Sequence, residues 1–230
     1  MVYRQTERSE AVRAESRERI LQAAAKLFVE RGYDATTMQD VVAEAGTSIG
    51  NAYFYFGSKE RLVSEMIEAA ARAALEESDR EVEGISPGPA RIGTLIAFRV
   101  SGMLRDRRGL AQLLVATDQR IGSVQILESI TIARWLAELA ASLPERRPQE
   151  LPAIAAAIWG VNRAVVQRIV QGELEMDERE AVKFVAGWSL RALGVSEEEI
   201  ESILRTALRR TRARTGGTGP GRSKARKGRK

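Results

Sequence analysis

The sequence predicts an all-α protein in two parts: an N-terminal three-helix domain built around a helix-turn-helix, and a larger helical domain behind it. Three observations predict it. From Ser16 to about Leu208 apolar residues recur at spacings of three and four, as in Ile20, Leu21, Ala24, Leu27 and Phe28, which puts them on one face of a 3.6-residue spiral. No segment shows a convincing period of two, the pattern of a half-buried strand. The breaks in the helical pattern fall at glycine or proline, where helices stop.

Residues 1–15 form a polar arm of mixed sign. Arg4, Arg8, Arg13 and Arg17 are interspersed with Glu7, Glu10, Glu15 and Glu18, which suits equally an arm entering a minor groove and a solvated helical extension. The first helix ends at Gly32. In Thr36-Thr37-Met38-Gln39, Thr36 is placed to cap the second helix and Gln39 to reach back, a capping box. That helix runs through Val41 and Val42 to Ala45, and Gly46 permits a sharp turn. Ser48 caps a third helix from Ile49 to Phe56, and Gly57-Ser58 breaks it before a fourth from Lys59 to about Arg80. Two short helices about a tight glycine turn make a helix-turn-helix.

After the linker Gly84-Ile85-Ser86-Pro87-Gly88-Pro89, helices are expected over 90–105, 108–119, 122–142, 149–172, 177–193 and 196–208. They are divided at Gly109, Gly122, Pro144, Pro148, Gly172 and Gly194. Domain boundaries follow: an arm at 1–15, the helix-turn-helix domain at 16–62, the larger domain at 63–208 and a tail at 209–230. The tail has too few apolar groups to offset the entropy of ordering and is expected to be disordered.

Composition narrows the chemistry. The 230 residues include neither cysteine nor histidine, which removes disulfides, thiolate and imidazole metal ligands, the cysteine nucleophile and the commonest general base. An enzyme is therefore disfavoured, and neither a metal nor a cofactor is expected. Acidic residues recur on polar helix faces, as at Glu197, Glu198, Glu199 and Glu201, where charge is usually solvated. No stretch approaches the ~18 uninterrupted apolar residues of a membrane span, and the N-terminus has no apolar signal core, so a cytoplasmic protein is expected. The net charge of +5 is uneven: ten of 36 basic residues, and no acid, lie between Arg209 and Lys230, leaving a net −5 elsewhere.

The run ILQAAAKLFVERGYDATTMQDVVAEAGTSIGNAYFYFGSKERL, residues 20–62, resembles the DNA-binding domain of the TetR family of transcriptional regulators. It follows that family's ILxAAxxLF, GYxxTT and AGVSxGxxYxYFxSKExL patterns almost position for position, with Thr47 where valine is usual. The resemblance implies a homodimer that binds a palindromic double-stranded operator, as a repressor, and is released by a small-molecule effector. Thr37, Ser48, Tyr53, Tyr55 and Lys59 match family positions that bind the sugar-phosphate backbone. Thr37 and Ser48 also sit at helix N-termini, where free N–H groups favour an anion.

A recognition helix must present small or polar residues at its N-terminal end, where side chains reach base edges. Asn51 suits pairing with adenine, although a merely solvated amide would look the same; Ile49 suits contact with a thymine methyl, and Gly50 lets the backbone approach. For Tyr53 and Tyr55 ring packing and a hydroxyl contact are compatible. Phe56 reads as core, while Phe54 stays open. Residues 1–61 carry nine basic and nine acidic side chains, so affinity must come from placement rather than from a basic patch.

In the larger domain, 149–172 is apolar on two sides: Leu151, Ile154, Ile158, Val161, Val165 and Ile169 form one stripe, and Ala155, Trp159, Val166 and Val170 another. The resemblance implies that 149–172 and 177–193 pair with their copies in a four-helix dimer bundle, with Phe184, Val185 and Trp188 as anchors. Asn162 lies on the second stripe and needs a neighbouring helix, a water or a ligand. Phe98, Met103, Leu114, Gln125, Trp135, Trp159 and Asn162 are candidates for the wall of a pocket whose ligand is largely apolar, and packing in the core is the alternative for each. Two rival readings are a constitutive DNA-binding protein whose helical domain only dimerises, marked by a filled core, and, more distantly, an enzyme, marked by carboxylates converging in a cleft.

Overall fold

The computed structural model describes residues 2–105, 113, 117 and 121–215. Among them the regular structure is helical: α1 Val2–Arg31, α2 Met38–Ala45, α3 Ile49–Phe56, α4 Lys59–Glu81, α5 Pro89–Arg105, α6 Ser123–Ser142, α7 Leu151–Val170, α8 Glu178–Ala192 and α9 Glu197–Thr215, with a 3-10 turn over Pro148–Glu150. The helix expected over 108–119, with Gly109 and Leu114, lies outside the described residues, as do the tail beyond Thr215 and the side chains of Arg4 and Arg8.

Three boundaries differ from expectation. Residues 2–15 are the first turns of α1 rather than a flexible arm; no glycine or proline precedes Gly32, and Ala, Arg and Glu are good helix formers. α9 runs past Leu208 to Thr215, so the first residues of the tail are helical and docked. Thr211 is buried, Arg210 donates to the Glu81 carbonyl (3.0 Å) and Arg105 to the Thr211 carbonyl (3.1 Å). The cap of α2 is Thr37, not Thr36, and its reciprocal partner is Asp40, not Gln39. Thr36 is buried instead, its hydroxyl donating to the Gly32 carbonyl at 2.8 Å.

Two apolar clusters carry the fold. One packs α1, α2 and α3 onto the N-terminal half of α4 through Ile20, Leu27, Val41, Ala52, Phe56, Leu62, Val63 and Ile67. Gly46, at φ 63° and ψ 42°, closes the turn between α2 and α3 in the left-handed region that glycine enters without strain. The second cluster joins α5, α8 and α9 with parts of α6 and α7. Gly93 on α5 permits the closest of these approaches: a Cβ there would lie 2.6 Å from Ile203 Cγ2 and 3.1 Å from Leu190 Cδ1.

The two clusters meet at one place. It is Met103 of α5, which packs against both, while Leu127 of α6 and Trp159 of α7 extend the first cluster into the large domain. α4 is the shared element. It is clamped to α1 by the ion pair between Arg17 and Glu65 and to α6 by Arg134 with Asp79 (2.6 Å).

α7 buries Leu151, Ala155, Ile158, Trp159, Val166 and Ile169, whereas Ala153, Ala156 and Ala157 face outward. It is thus apolar on both sides, but the outward side is lined by small residues. By length and composition alone Pro148–Val170, mean hydropathy 1.2, is apolar enough to cross a membrane, although the sequence contains no uninterrupted apolar run of that length.

Candidate nucleic-acid interface and ligand cavity

α3 is amphipathic in an unusual sense. Ala52 and Phe56, four apart, are buried against α1 and α4, while the opposite face carries Ile49, Gly50, Tyr53, Phe54 and Gly57 at the surface. Phe54 is 73% exposed, Tyr53 47% and Ile49 37%. Leaving a phenyl ring in water forfeits the roughly 1.5–3 kcal/mol that burying such a side chain is typically worth, so a face of this kind points to a partner. Phe54, left open by its sequence, is the most exposed large apolar side chain of the described residues. Phe56 is core, as expected.

Two helix N-termini flank this face. Thr37 accepts from the Asp40 N–H (3.1 Å), and Asp40 accepts in return from the Thr37 N–H (2.8 Å) and hydroxyl (2.6 Å). The Thr37 hydroxyl bond, and then its backbone bond, hold the Asp40 carboxyl below the usual range. Ser48 accepts from the Asn51 N–H at 3.2 Å. Thr37 and Ser48 are both exposed, each at the N-terminus of its helix as expected.

The remaining candidates are more engaged than expected. Asn51 directs its amide nitrogen inward, to Ser16 Oγ (2.9 Å) and Thr47 Oγ1 (2.8 Å). Both of its N–H donors are thereby spent on tying α3 to α1, and pairing with a base requires those bonds to be given up. Thr47, whose hydroxyl stands where valine is usual, has its partner in the same contact. Lys59 donates to the Tyr33 carbonyl and stands over the Tyr33 ring, 3.9 Å from its centroid. Tyr55 is half-buried between Phe54 and Phe56, with centroids 5.4 and 6.3 Å away. The outward residues of α3 are therefore Ile49, Gly50, Tyr53 and Phe54.

In the larger domain, a partly open cavity of about 380 Å³ lies between α4, α5 and α6. α4 contributes Ala70, Ala71, Ala73 and Ala74, whose methyl side chains leave the space; Phe98 and Met103 face them from α5, and Leu127 and Thr131 from α6. Phe98 and Met103 stand where the sequence predicts. Trp135 instead packs in the second cluster and borders a hollow of about 10 Å³, room for no more than one water. Gln125 is exposed and lines neither space.

Trp159 and Asn162 stand behind this cavity rather than in its lining. Arg99, which does line it, lies over the Trp159 ring at 5.6 Å. Burial lowers the pKa of the Arg99 guanidinium to about 10, so it stays a cation at neutral pH. Asn162 donates to the Ile158 carbonyl (3.0 Å), but its Oδ1 and the Trp159 indole N–H are buried without partners. Arg99 was missed by sequence reading, and the alanine run at 69–71 and 73–74 was the signal for the cavity wall.

Comparison with known proteins agrees with this geometry. Residues 20–66 match the bacterial regulatory proteins of the tetR family. The chain is 41% identical over 64 residues to the HTH-type transcriptional regulator YfiR of Bacillus subtilis, covering 28% of this chain and 31% of that one. It is 32% identical over 113 residues to the HTH-type transcriptional regulator HbdR of Aromatoleum sp. strain CIB, covering 42% and 49%. The matches thus span less than half the length of these relatives. Among solved structures, RolR bound to resorcinol superposes with a TM-score of 0.64 at 21% identity, over 85% of this chain and 95% of that one. FadR of Bacillus subtilis bound to stearoyl-CoA does so with a TM-score of 0.61 at 17% identity, over 76% and 96%. These likenesses extend the shared fold over both domains.

Proposed function

We propose that this chain, whose residues 20–66 match the tetR family of bacterial regulatory proteins, is a homodimeric repressor that binds a palindromic operator through α3 and is released by a small, largely apolar effector in the α4–α5–α6 cavity. The observation that carries the DNA-binding half is the exposed face of α3, with Ile49, Tyr53 and Phe54 outward between two exposed capping residues. Thr37, Ser48, Tyr53, Tyr55 and Lys59 bind the phosphate backbone, Ile49 and Gly50 face the base edges, and Asn51 reaches them only by giving up its bonds to Ser16 and Thr47.

The test is operator binding by purified variants, after selection of the operator from genomic DNA. Tyr53→Ala and Lys59→Ala each remove about 1 kcal/mol or more of binding, roughly fivefold, with the fold intact. Ile49→Ala flattens selection at one base pair. Asn51→Ala also releases Ser16 and Thr47, and so lowers thermal stability as well as selectivity. Wild-type affinity and selectivity in all four variants would remove α3 from the interface.

The reading of a dimer rests on α7 and α8. Phe184 and Trp188, four apart on α8, remain 49% and 39% exposed, and α7 offers an outward row of alanines that a partner helix can approach closely. Val185, the third expected anchor, is buried within the chain itself. In this reading the apolarity of Pro148–Val170 serves a partner subunit in the cytoplasm rather than a lipid bilayer.

The tail adds affinity that ignores sequence. Six of its basic residues lie beyond Thr215, at 222, 224, 226, 227, 229 and 230. Deleting 216–230 is expected to flatten the slope of log K against log salt, by up to ~0.9 for each phosphate that is no longer neutralised, without changing operator preference. An unchanged slope would assign the tail to another role.

A further inference from the structure

We propose that the effector is an amphipathic anion, with an apolar body against the alanine wall and a carboxylate or similar oxyanion bound by Arg99 above the Trp159 ring. The inference rests on the reading of the cavity as the effector site and names the chemistry of its ligand.

Among the described residues, the other arginines of α5 and α6 are engaged. Arg91 pairs with Glu138 (2.9 Å) and donates to the carbonyls of Val82 and Ile85. Arg134 pairs with Asp79 (2.6 Å) and Glu138 (3.1 Å), and Arg105 with Glu178 (2.5 Å). Asp79, Glu138 and Glu178 thus already serve other cations. Arg99 has only the face of Trp159: among the described residues no carboxylate or carbonyl pairs with it. Glu77, the other charged residue of the lining, has an interaction of its own.

A desolvated cation without a counter-ion is costly, because desolvation is not returned by any attraction. The lowered pKa of the guanidinium is the mark of that cost. Beside it, the Trp159 N–H is a buried donor without an acceptor. The Trp159 N–H lies behind the lining, but the Arg99 cation lines the cavity, where an anion completes it and no neutral hydrocarbon does. Among the other described lining residues, Ala70, Ala73, Ala74, Phe98, Met103 and Leu127 offer apolar contact, and the hydroxyls of Ser78 and Thr131 are already spent on the Ala74 (2.6 Å) and Leu127 (2.8 Å) carbonyls. One end of the cavity therefore suits a single negative group and the remainder an apolar body. Its volume of about 380 Å³ lies at the small-molecule end of ligand sites, which run from ~300 to 1,000 Å³.

The experiment titrates the full-length protein with two matched pairs, 4-phenylbutyrate against 4-phenylbutyramide and decanoate against decanol, and reads Kd by calorimetry and Tm by thermal unfolding. The carboxylate of each pair is expected to bind at least tenfold more tightly than its neutral partner. Arg99→Gln abolishes that difference and leaves the neutral ligands unchanged; Arg99→Lys keeps part of it. Arg99→Gln also raises the Tm of the free protein, because it removes an uncompensated charge. Equal binding of charged and neutral partners, or discrimination that survives in Arg99→Gln, overturns the anionic ligand while leaving the cavity as an effector site. Failure of all four probes to bind counts against the cavity itself. A fall in Tm for free Arg99→Gln shows a counter-ion already in place and overturns the inference independently of any probe.

Discussion

Replacing Phe184 and Trp188 together by glutamate is expected to yield a folded monomer that binds its operator at least a hundredfold more weakly than the wild type. Both side chains project from α8 into solvent in the single chain, so their replacement opens no cavity in the core. In a two-fold interface each substitution occurs twice, and four carboxylates are brought into an apolar contact. The weaker binding to DNA follows from the linkage of two recognition helices. A joined pair meets the second half-site at a high effective concentration, commonly worth about 10²–10⁴ in affinity, and a monomer forfeits that factor while keeping every residue that touches DNA. Sedimentation velocity gives the mass, and fluorescence anisotropy with a labelled operator gives the affinity. A dimer that persists, or a monomer with undiminished affinity, would refute the α7–α8 interface.

The second large effect is on stability. Trp159→Ala is expected to lower the free energy of unfolding by ~3–5 kcal/mol, the usual cost of removing a large buried aromatic side chain. The variant should also abolish the response of operator affinity to any cavity ligand, because Trp159 carries the first cluster into the large domain and Arg99 lies over its ring. Trp159→Phe keeps a ring beneath the guanidinium and gives the smaller effect, while removing the unpaired indole N–H. Urea unfolding, with operator titrations in the presence of the carboxylate probes, measures both quantities. A destabilisation below ~1 kcal/mol, small for a core substitution, with an intact response would detach Trp159 from the coupling.

Much of the fold was legible because the signals are local. The spacing of Ile20, Ala24 and Leu27, the left-handed turn at Gly46, the cap at Ser48 and the break at Gly57-Ser58 each act within a few residues, and each appears where the sequence places it. Thr36 and Thr37 show the limit of this. Both can cap, and the choice is made by whether the hydroxyl meets the Gly32 carbonyl inside or Asp40 outside. The inward bonds of Asn51 were hidden for the same reason at longer range, since one of its partners, Ser16, is 35 residues away. Arg99 was invisible because its distinguishing property is the want of an acid across a space formed by three helices. Nothing in Phe98-Arg99-Val100 conveys that. The alanines of α4 were visible as letters, but only an opposing wall turns small residues into a volume.

The contact at Gly93 determines which parts of the domain can move. α5 lies so close to α8 and α9 that a single added methyl would collide with Ile203 and Leu190, so these three helices translate together or not at all. If the dimer is built on α8, the α5 wall of the cavity is bolted to the two-fold axis and acts as a stator. The opposite wall is α4, which carries the small domain at its far end and lines the cavity mainly with alanines over its middle turns. In the proposed mechanism a molecule too large for the space displaces that wall, and the displacement passes from the middle of α4 to its first turns, which pack with α3 in the small domain. The hinge is thus specified by where the packing is tightest, and the direction of travel by where the side chains are smallest.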